Sequence, residues 1–516
     1  MDVSLLPLLA LPLGAFVILL CMPARLSLVM YRFSVSMVVL QFIYTLYLVL
    51  GVLESSALWH YSLIVPWIKR FDIFFALSMD GLSALMCMLS AVVFLIAMLI
   101  SHHINRRPKA YFALCFLLLF GVTGVFLAHD LFLFYIFWEV TLIPLYFLIG
   151  IWGGARREYA AIKFFIYTMV GSVFLLLCLI LLYQAKITPA EGILFKDFLI
   201  HQQWIGSLET TVLGKTFSSI IFLGFFIVFA VKIPVFPFHT WLPDAHVQAP
   251  TPISVLLAGI ILKLGVYGLI RLGLGLVPIQ VAYFAPILLV LGLINLIYGA
   301  FCAMYQTNAK RMIAYASISH MGYCMIGIAT LNMLGLQGSV LQMLSHGLIS
   351  VMLFLVVGFI YKQTRSLDIE DLGGLAHQLP KLGFVAVFAI FASMGLPGLF
   401  GFVSEIITLS GAWVAEPKSI LLGGTTRVLF QVGTLFGVTG MLITAVYMLW
   451  MLQSVFFGPS RQRWSGLKDL DQAYIMAFAI LIIPIVYFGI APSSLLDLIH
   501  QSFLSEIDWI APKVLR

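Results

Sequence analysis

Charge is what this sequence has least of. Only 9% of its 516 residues are Asp, Glu, Lys or Arg, while 62% are hydrophobic. Soluble proteins carry about 25% charged residues. No water-soluble core could hide this much apolar surface, so a soluble domain is excluded and the chain reads as a polytopic membrane protein. Its length then counts membrane crossings, not domains. Cysteine is scarce too: Cys21, Cys87, Cys115, Cys178, Cys302 and Cys324 are the only ones, and none forms a CxxC pair. All lie in apolar segments. They read as buried small hydrophobes, and their spacing excludes metal, haem or iron–sulfur ligation. The opening stretch, MDVSLLPLLALPLGAFVILL, has no basic residue ahead of its apolar run. It reads as a retained first span, not a cleaved signal. Nucleotide fingerprints are missing as well. GLGLVP carries Pro278 where a third glycine should stand, and Gly214-Lys215-Thr216 has Glu209 in place of the first glycine of a P-loop. No site for a nicotinamide, flavin, ATP or metal is legible, so energy for any transport must come from a partner or an ion gradient.

What is present is a succession of about 14 apolar runs of spanning length between residues 4 and 492. The formal net charge is +7. Its Lys and Arg residues sit mostly in short loops, which is topogenic charge and not a nucleic-acid footprint. One alternate set of loops, including Arg25, Arg106, Lys310 and Lys362, holds about 15 of them; the other, including Lys69, Arg70, Arg271 and Arg427, holds about 8. The richer set is expected on the cytoplasmic side of the membrane, and both termini on the other. The long loop at 185–215 contains ITPAEGILFKDFLI, a hairpin or a short surface helix. The tail, SSLLDLIHQSFLSEIDWIAPKVLR, has helical apolar spacing suited to a membrane surface.

Two runs are interrupted. The seventh breaks at VKIPVFP, where Pro234 and Pro237 each remove a backbone donor. The twelfth breaks at MGLPGLFGFVSE, with Gly395, Pro397, Gly398 and Gly401. Interrupted helices at matching places in two halves point to an inverted-repeat transporter. Spans 4–8 and 9–13 are the expected repeats, and because five is odd the second is inverted. The expected division is 1–109 for three leading spans, 110–276 and 277–453 for the repeats, and 454–516 for span 14 and the tail.

Six ionisable residues fall within or beside the spans: Glu139, Lys232, Lys263, His320, His346 and Glu405. An ionised side chain in hydrocarbon costs several kcal/mol by insertion scales, roughly 2.5–3.5 at the helix centre. Each has a plain structural alternative. Glu139 and Lys232 suit an interhelical ion pair, Lys263 could snorkel, each histidine could be a satisfied core residue, and Glu405 could meet donors freed at the break. As a set they resist that explanation. Acid, base, base, imidazole, imidazole, acid is a series along which a proton can step if water fills the gaps. A buried lysine whose carboxylate partner approaches or withdraws is a switchable proton site. Lys232 beside the prolines therefore reads as a titratable group at a hydrated helix break.

The stretch VKIPVFPFHTWLPDAHVQAPTPISVLLAGIILKLGVYGLIR, with QTNAKRMIAYASISHMGY, LQMLSHGL and GLPGLFGFVSE, resembles the antiporter-like subunits of respiratory complex I, the NADH:quinone oxidoreductase, over about residues 70–460. The resemblance implies an all-α membrane protein of 14 helices in two inverted five-helix repeats, with helices 7 and 12 broken. It implies proton transfer through Glu139 as the acid modulating Lys232, Lys263 as the central lysine, His320 and His346 as the relay, and Glu405 as the terminal group. No cofactor is implied in this chain; NADH, FMN, iron–sulfur clusters and quinone belong to partner subunits. The implied partners are other membrane-arm subunits, especially the L and N members of the family. Those usually carry lysine where Glu405 stands, so glutamate favours the M branch. A multi-subunit Na+/H+ antiporter, a hydrogenase or ferredoxin-linked relative, and a non-transporting membrane spacer are the alternatives.

Overall fold

A computed structural model of the chain describes residues 4–23, 25–54, 57–185, 194–195, 212–419, 424–459 and 461–514. Its body is a bundle of helical crossings. Leu6–Cys21, Ser27–Leu53 and Gly81–His103 are spans 1 to 3. Pro108–Leu127, Leu131–Trp152 and Arg157–Gln184 are spans 4 to 6, and Thr251–Leu274 is span 8. Pro278–Met304, Ala309–Ala329 and Met333–Thr364 are spans 9 to 11; Arg427–Leu452 and Gln472–Ile490 are spans 13 and 14. Span 7 is made of two pieces, Val212–Lys232 and Trp241–Gln248, and so is span 12, from Pro380–Ser393 and Phe400–Trp413. The fold is thus the expected all-α membrane body with breaks in helices 7 and 12.

The few polar residues of the chain define where helices begin. Asp80, Asp130, Asn308, Asn332 and Asp471 are N-caps whose side chains accept from Ser83, Phe132 and Leu133, Arg311, Gly335 and Tyr474 backbone N–H groups. Such caps satisfy donors that hydrocarbon could not. At the second break Gly395 and Gly398 take φ values of 73° and 92°. Only glycine adopts these without strain, and they allow the chain to resume as a helix at Phe400.

Burial is uneven, and the unevenness positions the site. Spans 3, 8, 10 and 11 are enclosed by protein, while spans 2, 6, 13 and 14 form much of the lipid-facing rim. Enclosed helices can carry charge that a rim helix cannot.

Outside the helical body lies an antiparallel hairpin, His60–Ile68 with Ile73–Met79, leading into span 3. The sequence does not announce it, because Pro66 interrupts the first strand and no Asn-Gly turn joins the two. The tail forms the helix Ser493–Val514. Its first half does not merely rest on a surface: Leu498, Ile499 and Phe503 are buried, Ser502 Oγ accepts from Leu82 N at 3.1 Å, and Gln337 Nε2 donates to Leu496 O at 3.1 Å. It thereby ties the starts of spans 3 and 11. Apart from Leu194 and Phe195, the expected hairpin or surface helix at 185–215 lies outside the described residues up to Val212. Four cysteines are buried as expected; Cys21 is exposed at the end of span 1 and Cys302 is half-buried.

Candidate functional site

The site is built on span 8. Lys263 lies in a short α-helical segment, Leu262–Gly268, between π-helical turns at Leu257–Ile261 and Leu269–Leu274. A π turn displaces backbone carbonyls from their usual partners and often marks a functional position. Lys263 Nζ, fully buried, takes Ala258 O at 2.5 Å and His346 Nδ1 at 2.7 Å. An ammonium has only donors, so the imidazole nitrogen facing it accepts. The side chain does not snorkel; it is held at the centre of the protein.

From there the titratable groups run across spans 10, 11 and 12. The rings of His346 and His320 lie 5.6 Å apart. His320 Nδ1 is 3.3 Å from Glu405 Oε1 and 3.4 Å from Gln342 Nε2. Ser404 donates to Gln342 Oε1 at 2.5 Å and is 2.7 Å from Ser345 Oγ, which fixes the amide between the two helices. These groups line a narrow cavity shared by His320, Gln342, Ser345, His346, Ser393 and Glu405. Its free space of about 10 Å³ is about what one water needs. His320 Nε2 and Glu405 Oε2 are buried with no direct partner. Buried polar atoms of this kind are normally met by water. The structure therefore brings Lys263, His346, His320 and Glu405 together as one line.

The other two residues stand apart from it. Lys232 is buried at the end of the first piece of span 7, with Nζ 5.1 Å from the Trp138 ring and 5.9 Å from Phe164. Such placement over a ring face is worth about 2 kcal/mol when desolvated. Glu139 is half-buried, its Oε1 has no hydrogen-bond partner, and its carboxylate acts on Lys232 through space without ion-pair contact. The interhelical ion pair is thus not formed. Span 8 passes directly against Lys232: a Cβ on Gly265 would come within 3.0 Å of Lys232 Cβ.

The break beside Lys232 is held by side chains as well as by its own backbone. Asn295 of span 9, fully buried, accepts from Phe236 N at 2.7 Å and donates to Pro234 O at 3.1 Å. Trp241 Nε1 donates to Val231 O at 2.9 Å. Replacing Asn295 with leucine orphans two buried backbone groups, each worth about 1–3 kcal/mol. The expected result is a loss of roughly 2–6 kcal/mol, read as a lower thermal inactivation temperature of the solubilised protein.

Several buried polar groups escape a reading of the sequence. His246 is fully buried with neither ring nitrogen bonded, stacks on Phe354 at 4.5 Å, and lies within electrostatic reach of both Lys263 and Lys310. Lys310, counted among loop charges, is buried and donates to Ala249 O at 2.9 Å. Arg271, likewise counted as a loop charge, is buried and paired with Asp80. Asp244 joins Lys163 at 2.7 Å and Arg311 at 3.1 Å. The available signal was the motif HTWLPDAH, in which Asp244 and His246 lie on the second piece of span 7 and His239 just before it. Nothing in the sequence distinguishes Lys310 from a loop lysine: it lies in the first turn of its helix, and only the structure shows Ala249 O against it.

Known proteins are similar to this chain in sequence and fold. The family described as NADH:quinone oxidoreductase/Mrp antiporter, transmembrane, matches residues 128–431. NAD(P)H-quinone oxidoreductase chain 4 2 of Thermosynechococcus vestitus is 40% identical over 433 residues, spanning 83% of this chain and 77% of that one. NAD(P)H-quinone oxidoreductase chain 4 1 of Synechococcus sp. (strain JA-3-3Ab) is 38% identical over 461 residues, 86% and 83% of the two chains. A chain of respiratory complex I from Thermus thermophilus superposes with a TM-score of 0.82 at 26% identity, covering 97% of this chain and 99% of its own. A chain of the Mrp complex from Dietzia sp. DQ12-45-1b gives 0.81 at 21% identity over 97% of this chain and 52% of its own, a likeness of fold alone.

Proposed function

Because this chain belongs to the NADH:quinone oxidoreductase/Mrp antiporter family of transmembrane subunits, we propose that it moves protons through the buried line from Lys263 to Glu405. It is a multi-pass, proton-translocating membrane-arm subunit of a NAD(P)H–quinone oxidoreductase, and other membrane-arm subunits are its partners. Neighbouring L and N subunits, with NADH, FMN, iron–sulfur clusters and quinone held elsewhere in the complex, complete the reading. Both termini lie on the non-cytoplasmic side of a bacterial inner membrane; the loop Lys and Arg bias supports the orientation, and the bacterial relatives support the membrane.

The observation that carries the proposal is the 2.7 Å contact of Lys263 Nζ with His346 Nδ1. A lysine hydrogen-bonded to an imidazole can hand over a proton without a large movement. The imidazole passes a proton from its second nitrogen through one water to His320, which faces Glu405 at 3.3 Å. Each transfer leaves one neutral and one charged neighbour, so charge moves and does not accumulate. Lys232, with Glu139 on the adjoining helix, sets the state of Lys263 from across the Gly265 contact. When the Glu139 carboxylate draws closer, it holds the Lys232 proton; when it withdraws, the proton is released towards span 8. His246 and Lys310 extend the line towards the start of span 10.

Glu405→Gln tests the terminal step. Glutamine keeps the shape and a hydrogen-bonding oxygen but cannot accept the proton. In assembled complexes, proton translocation should fall at least about tenfold, with assembly on a native gel unchanged. Acidification at the unsubstituted rate would overturn the role of Glu405.

A further inference from the structure

The end of span 8 beyond Lys263 carries a second polar run that the line to Glu405 does not use. Tyr267 is one helical turn further along, within the same α segment. Residues at this spacing share a face, with Cβ atoms about 5–6 Å apart. Tyr267 OH is 3.1 Å from Ser83 Oγ of span 3 and donates to Phe126 O at 3.0 Å. Arg271 lies one turn on, 3.4 Å from the same Ser83 Oγ, and pairs with Asp80 Oδ1. Asp80 Oδ2 is buried with no partner. The hairpin covers this end. The Trp59 ring lies 5.3 Å from the Arg271 guanidinium, and His60 stands opposite Met79, next to Asp80.

A purely structural purpose accounts poorly for the cluster. Replacing a buried ion pair with packed apolar residues is often neutral or stabilising by about 1–4 kcal/mol. The N-cap bond that Asp80 makes to Ser83 N could be made as well by an uncharged asparagine. What a charged pair adds is a carboxylate able to take up a proton and a cation able to leave it.

We propose that Tyr267, Ser83, Asp80 and Arg271 form a proton exit leading from Lys263 to the face of the protein that carries the hairpin, with Arg271 as its latch. The inference rests on Lys263 being a proton carrier. In the step, an N–H bond of the Lys263 ammonium breaks and its proton passes through one water to the Tyr267 oxygen. The Tyr267 hydroxyl, which donates to Phe126 O at rest, turns to release its own proton to Ser83, and the Ser83 hydroxyl turns to release its proton towards Asp80, so neither gains net charge. The proton ends on the Asp80 carboxylate. Neutral Asp80 no longer holds Arg271, the guanidinium turns towards the Trp59 and Tyr267 rings, and Asp80 loses the proton past His60 to the outside. Lys263 is left neutral and ready to be recharged from the Lys232 side. The unpartnered Asp80 Oδ2 is the atom that receives the proton.

The test uses membrane vesicles holding the assembled complex, with quinone reduction and acidification recorded together in H2O and D2O. Tyr267→Phe, which fills the same space without the hydroxyl, and Asp80→Asn should each lower acidification about tenfold, with a larger slowing in D2O than in the unsubstituted complex. If Asp80→Asn does not assemble, Tyr267→Phe decides alone. A Tyr267→Phe complex that pumps normally, or is slowed with an unchanged D2O ratio, overturns the exit. Lys263→Met run alongside separates the two ideas. Loss in Lys263→Met with normal Tyr267→Phe removes only the exit, whereas normal pumping in both removes the proton-carrier reading itself.

Discussion

Lys263→Met is expected to yield an assembled protein of nearly unchanged stability that has lost about two orders of magnitude in proton translocation. The stability half follows from opposing terms. Removing the ammonium relieves a desolvation penalty of several kcal/mol. It also orphans Ala258 O and His346 Nδ1, the two groups that hold Nζ at 2.5 and 2.7 Å, at about 1–3 kcal/mol each. These effects roughly cancel, and methionine fills nearly the same volume. The functional half follows from position. Lys263 is where the Lys232 side, the His346–His320–Glu405 line and the Tyr267 run meet, so no parallel route joins them among the described residues. Lys263→Arg sharpens the result. It keeps the positive charge but cannot give up its proton, so it should be as inactive as methionine. A working arginine variant would mean that Lys263 acts only through its field.

Gly338→Leu is expected to prevent the bundle from assembling, and Gly338→Ala to destabilise it by about 1–3 kcal/mol. A Cβ at Gly338 would lie 2.6 Å from Thr408 Cα and 2.5 Å from Thr408 N. Backbone, not a flexible side-chain end, stands in the way, so span 11 and the second piece of span 12 must separate. The two helices run antiparallel along this seam: Gly335 meets Gly411, Gly338 meets Thr408, and Ser345 meets Ser404. Gln342 and Ser345 lie on the Gly338 face of span 11 by helical spacing. A shift at Gly338 therefore also pulls Gln342 from Ser404 and moves His346 relative to Glu405. The fraction assembled on a native gel should fall, and the surviving Gly338→Ala complexes should pump less per complex. Gly14→Ala is the control, since nothing lies within 4 Å of a Cβ there. It should be neutral or gain up to about 1 kcal/mol of helix stability.

Much of the fold could be read from the sequence for a simple reason. In hydrocarbon every backbone group must be paired within the chain, so length and composition alone mark each crossing. Proline and positive-φ glycine mark the two breaks in the same way. The ionisable residues stood out because charge is so rare within the spans. The hairpin was not legible, since Pro66 interrupts its first strand and no Asn-Gly turn joins the two strands. The assignment of Lys310 and Arg271 to loops failed because both lie near helix ends, where composition does not show that other elements close over them, Ala249 on Lys310 and Asp80 on Arg271.

What the sequence determined by itself is thus the membrane class, the crossings, the two interruptions and the identity of Lys263, His320, His346 and Glu405 as groups needing explanation. Only the tertiary structure decided which of them touch. Lys263 and His346 are 83 residues apart in the chain, and their contact depends on how far each helix is rotated about its own axis. It depends equally on the small residues of the seam that let spans 11 and 12 close together. The same packing kept Glu139 from Lys232, gave the break its Asn295 clamp, and placed Arg271 on Asp80. Hydrophobic periodicity names the faces that must be buried, but partners across a bundle are chosen by side-chain volume and shape at contacts between distant segments.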